Sequence, residues 1–150
     1  MTVCPHRPDA AAFVRGGKDF PDLWGEVRFY QKAKGVWVVA HIWGLPKDSG
    51  FLGFHIHKGS HCGGTDFAET DDHFNPEGLN HPDHAGDLPP LLSCDGEACQ
   101  AVLTGRFRVA DVSGRTVVIH QNPDDFHSQP SGNAGRMIAC GVILPRGVGE

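Results

Sequence analysis

The feature that most limits how this chain can fold is a series of short apolar runs, each closed off by glycine, proline, aspartate or asparagine. They are AAFV (11–14), WGEVRFYQ (24–31), VWVVAHIWGL (36–45), FLGFHIH (51–57), QAVLTGRFRV (100–109), RTVVIHQ (115–121) and RMIACGVIL (136–144). None sustains an i, i+3, i+4, i+7 stripe, so helix signals are weak and strand signals dominate. Short strands at this spacing predict an all-β chain, an antiparallel sandwich or barrel. In VWVVAHIWGL both alternating faces are apolar, so period two alone does not say which faces the core. The 20 glycines fit the many tight turns such a fold needs. At 150 residues the chain reads as a single domain, 1–150, with no repeat or linker, and is long enough to bury a core.

Two polar segments interrupt this rhythm, 58–93 and 121–135. Both are long for connections in a compact domain, and loops of that length are usually functional or disordered. No lysine or arginine run marks a nucleic-acid surface, and the net charge is −5. No apolar run approaches the ~20 residues of a membrane-spanning helix.

Ten histidines point to metal. His55 and His57, at i and i+2 near a strand end, put two imidazoles on one face. The 73–87 segment, HFNPEGLNHPDHAGD, offers His73, His81, His84 and Asp87 but little apolar surface. Three imidazoles and a carboxylate make a tetrahedral zinc set, and a cation would supply the ordering energy that burial does not. His120 ends RTVVIH. If that strand neighbours FLGFHIH, its ring joins His55 and His57 in an all-nitrogen group that suits copper. His6 and His41 read as surface residues, His61 has no such context, and His127 in the second loop stays open. Of five cysteines, Cys94 and Cys99 flank a DGEA turn, either as a hairpin clip or as small inert side chains.

These residues, taken together and in order, resemble the copper–zinc superoxide dismutases. GFHIH, HFNP, HAGDL, VVIH followed by an aspartate pair, and GNAG followed by ACGVI carry the resemblance over about residues 10–144. HKGSHC and GDLPPL are similar to the bacterial branch. The resemblance implies an eight-stranded Greek-key β-barrel. It makes His55, His57, His73 and His120 copper ligands, and His73, His81, His84 and Asp87 zinc ligands, with His73 bridging. It makes Asp124 a link between His55 and His81, and pairs Cys62 with Cys140 in a disulfide. The implied substrate is superoxide, converted to dioxygen and hydrogen peroxide, with His73 carrying a proton between half-cycles.

One position departs from the family pattern. The family's substrate-guiding arginine is replaced by Met137, and Arg136 lies one residue earlier. Alternation turns neighbouring side chains opposite ways, but a loop end can break it, so Arg136 is either the guiding cation or an ordinary surface arginine, in which case another cation substitutes or the rate falls. The competing functions are a non-catalytic or weakly active copper/zinc carrier and a zinc hydrolase with an open coordination position. A homodimer is possible. A start at Met1 without an apolar leader core favours the cytoplasm, while the Cys62–Cys140 pair suits an exported chain with its leader removed.

Overall fold

The computed structural model describes residues 6–147. Among the described residues nine strands form: β1 Ala10–Gly16, β2 Trp24–Lys32, β3 Gly35–Trp43, β4 Phe51–Leu52, β5 Phe54–His57, β6 Leu91–Leu92, β7 Ala98–Thr104, β8 Thr116–His120 and β9 Met137–Pro145. The FLGFHIH run is thus two strands, broken at Gly53. Counted as one, it makes eight strands in a continuous antiparallel row: β6, β4/β5, β8, β9, β1, β2, β3, β7. The chain leaves the β1–β2–β3 meander after Trp43, builds strands at the far end of the row, and returns as β7 beside β3. That long return is the Greek-key connection.

Alternation decides the faces. Ala12 and Val14 of β1, Val27 and Phe29 of β2, and Val36, Val38, Ala40 and Ile42 of β3 are buried. They share one cluster with Phe54, Ile56, Val117, Ile119, Ile138 and Ile143 from the other half of the row, so the row curls around a single core. Each large side chain among them contributes about 1.5–3 kcal/mol by leaving water. The opposite face of β3 is partly exposed: Trp43 stacks on Trp24 with ring centroids 4.5 Å apart and on His41 at 3.8 Å.

The 100–109 run is not all strand. β7 stops at Thr104, and Val109–Val112 forms one short helix, α1. Val109 and Val112 are both buried. Their i, i+3 spacing places both on one side of a helical turn, which a strand would not do. Asp111 then accepts the Arg108 N–H at 2.8 Å.

Cys62 and Cys140 are disulfide-bonded with Cα atoms 5.8 Å apart, tying the first long loop to β9. Cys94 and Cys99 are free and exposed, so no clip closes that hairpin. Cys4 lies outside the described residues.

Candidate metal centre

The first long loop has few apolar side chains, and the edge of β5 holds it instead. Phe74 N–H donates to Ile56 O at 2.8 Å, and Ile56 N–H donates to Gly86 O at 2.8 Å. These bonds set His57 opposite His73 and His55 opposite Asp87. Phe74, Ala85, Leu88 and Leu91 supply the loop's contribution to the core. The rest of the loop's order comes from polar contacts.

On the sheet side, β5 pairs with β8 in the register His55↔Val118. Residues i and i+2 share a face, so His120 emerges beside His55 and His57. All six histidines of the two groups are buried. Two four-residue sets of donor atoms, His55, His57, His73 and His120, and His73, His81, His84 and Asp87, each lie within 4.8 Å, and a third group, His55, His81 and Asp124, links them. His73 belongs to both four-residue sets.

Hydrogen bonds fix which ring nitrogens are free, because a carbonyl or carboxylate oxygen can only accept. His55 Nε2 donates to Asp124 Oδ2 at 2.8 Å, and His81 Nε2 donates to Asp124 Oδ1 at 2.8 Å. His57 Nδ1 donates to Asp71 O at 2.6 Å, and His120 Nδ1 donates to Gly135 O at 3.2 Å. The lone pairs therefore sit on the other nitrogen of each ring. His57 Nε2 and His120 Nε2 face each other at 3.4 Å. Two bare lone pairs at that distance repel unless a cation lies near both. His55 Nδ1, His73 Nε2 and His81 Nδ1 are buried without a hydrogen-bond partner. Unsatisfied buried nitrogens are costly, and metal ligation would satisfy them.

Burial is the largest influence on these rings. It lowers the values of His55, His57 and His84 and pushes His120 down to about 3. Neutral imidazole is the ligand form, so the site is poised to bind cations rather than protons. Burial would raise Asp124, but the bonds it receives from His55, His81 and the Phe126 N–H outweigh that and hold it well below the usual range. On the second set, His73 Nδ1 lies 2.7 Å from Asp87 Oδ1, and His84 Nδ1 lies 3.3 Å from His73 Nδ1. Burial also opposes the Asp87 charge, and the His73 bond with the neighbouring imidazoles reverses it.

The family model for copper/zinc superoxide dismutase (SODC) matches residues 23–143. This chain belongs to the copper/zinc superoxide dismutase family. It is 34% identical over 137 residues to superoxide dismutase [Cu-Zn] 2 of Aquifex aeolicus, covering 81% of this chain and 80% of that one. It is 35% identical over 142 residues to the superoxide dismutase [Cu-Zn] of Legionella pneumophila, covering 89% and 85%. The solved Cu/Zn superoxide dismutase from Brucella abortus shares the fold, with a TM-score of 0.76 at 24% identity over 89% of this chain and 98% of that one. The family implies copper and zinc as cofactors, and the two donor sets fit that pair: all nitrogen on one side, nitrogen and oxygen on the other.

The structure places Arg136 outside the cleft in which a guiding cation was expected. A bulge between Ile119 and His120 sets Met137 opposite His120. Met137 therefore lines the cleft above the first set, together with His57, His73 and His120. Alternation turns Arg136 the other way, where its Nη2 meets Asp19 at 2.5 Å and Asp66 at 3.1 Å. It lines a different pocket, with Lys18 and Phe67.

Several supporting residues escaped the sequence reading. Gln129 Oε1 accepts the His81 N–H at 2.8 Å, while its Nε2 donates back to His81 O at 2.8 Å, joining the two long loops. Asp71 acts through its carbonyl, which composition cannot reveal. Lys58 lines the cleft, and its place directly after the His55–His57 pair was the available signal. His41 pairs with Glu97 at 2.5 Å on the outer face, and His127 is exposed beside Asp125, so neither joins the centre.

Proposed function

We propose that this chain disproportionates superoxide to dioxygen and hydrogen peroxide, using copper held by His55, His57, His73 and His120 and zinc held by His73, His81, His84 and Asp87. The position of His73 carries this reading, since one ring serves two separate donor sets. Copper, when bound, supplies the one-electron exchange with superoxide that these side chains cannot perform.

The chain's own residues provide the setting. Asp124, Asp71 and Gly135 hold the N–H side of three rings, so the opposite lone pairs are aimed before any ion arrives. His73 Nδ1 and Asp87 Oδ1 lie 2.7 Å apart, close enough to share one cation. His73 Nε2 faces the first set without a hydrogen-bond partner, and we assign it the proton that the peroxide product requires. A cleft of about 460 Å³ opens over His57, His73 and His120 and admits a small anion.

The test is superoxide decay by copper- and zinc-loaded protein, with a chelator present to silence free copper. Decay should accelerate in proportion to protein-bound copper. A rate no faster than spontaneous decay would favour the second reading, a copper/zinc carrier on the same fold. The absence of Arg136 from the cleft is the observation that speaks for that alternative.

A further inference from the structure

We propose that Lys58 draws the anionic substrate into this cleft and that Asp71 sets how strongly it does so; the proposal rests on the superoxide reading above. Among the described residues, Lys58 is the only lysine or arginine in the cleft wall, where Asp71 and Asp72 are the carboxylates. Arg136, the nearest guanidinium in sequence, is turned away and neutralised by Asp19 and Asp66.

Lys58 directly follows His57, so alternation points its side chain away from the buried ring, and the ammonium is half exposed at the cleft. Its Nζ lies 3.4 Å from Asp71 Oδ2. The Asp71 carbonyl accepts the His57 Nδ1–H at 2.6 Å. Asp71 therefore contacts both the ring it orients and the cation beside that ring. It does so with φ at 61° and ψ at −153°, a strained conformation that side chains rarely adopt.

An exposed ion pair at this separation is weak, so Asp71 moderates Lys58 without removing its field. A single cation at the mouth acts over a Debye length of about 10 Å at 0.1 M salt. Its effect belongs to the encounter rate and fades as salt rises. The two aspartates act with the opposite sign. The balance among these three charges, rather than the net charge of −5, controls anion entry.

The experiment uses the full chain loaded with copper and zinc. It reads the rate of superoxide decay as a function of ionic strength, and azide affinity by absorption titration of the copper. Lys58→Gln should lower the low-salt rate and azide affinity by about three-fold and flatten the salt dependence. Lys58→Arg should restore both. Asp71→Asn, which keeps the carbonyl and nearly the same side-chain shape while removing the charge, should raise both. Lys34→Gln makes the same charge change in the β2–β3 turn, outside the cleft, and should stay near native. Equal values for Lys58→Gln and Lys34→Gln in both measurements would overturn the role of Lys58. Asp71→Asn at or below native values would overturn the role of Asp71. If the native protein failed to consume superoxide, the functional reading would fall, and the azide titration would still decide the matter for Lys58: weaker binding in Lys58→Gln sustains it, and unchanged binding overturns it.

Discussion

Asp124 and His81 stand 43 positions apart in the chain, yet the carboxylate accepts the ring Nε2–H at 2.8 Å. The other carboxylate oxygen accepts His55, so one side chain orients a ring of each donor set. Gly132, with φ at 68°, leaves the space for it, because a Cβ there would fall on the carboxylate and against His81 Nε2. Asp124→Asn should therefore weaken binding of both metals, by about 10–100-fold if this partner behaves like others that orient ligands. Gly132→Ala should act in the same direction. Competition with chromogenic chelators measures this, and native affinities in Asp124→Asn would contradict it.

The Cys62–Cys140 bond closes a span of 78 residues that includes most of the ligand loop. Constraining a loop of that length should stabilise the fold by about 2–4 kcal/mol through the unfolded chain. Cys62→Ser should lower the urea midpoint of the metal-free protein accordingly. A midpoint unchanged from native under oxidising conditions would show that the bond contributes nothing.

Acid should destabilise the metal-free protein before its carboxylates titrate. Burial lowers His120 from 6.5 to about 3, and moves His55, His57 and His84 in the same direction. The unfolded chain therefore binds more protons than the folded chain between those values, so stability rises with pH. The contribution is complete above the unfolded value of 6.5 and is lost as pH falls toward 3. Asp87 and Asp124, both held below their ordinary value of 3.8, add a loss of the same sign as pH falls below it. Urea midpoints of the metal-free protein should drop steadily from about pH 6.5 to about pH 4.5, and a flat profile there would contradict this reading.

Strand periodicity made the centre's first half legible. Period two put His55 and His57 on one face, and the β5–β8 register put His120 beside them. The density of ligand types in 73–87 marked the second half. The placement of Arg136 was not legible because a bulge between Ile119 and His120, invisible in the sequence, decides which of two neighbours faces the cleft. The strand expected at 100–109 failed at its end because Val109 and Val112 reach the core through a helical turn. Gln129 and Asp71 were missed because each matters through a pairing made only after two loops have met.

The most direct measurement compares copper and zinc content and affinity in the native chain and in His73→Ala, each loaded from the metal-free state. The account predicts one copper and one zinc per native chain, and loss of affinity for both metals in the variant, because a single ring is shared. A variant that holds both metals at native affinity would contradict it.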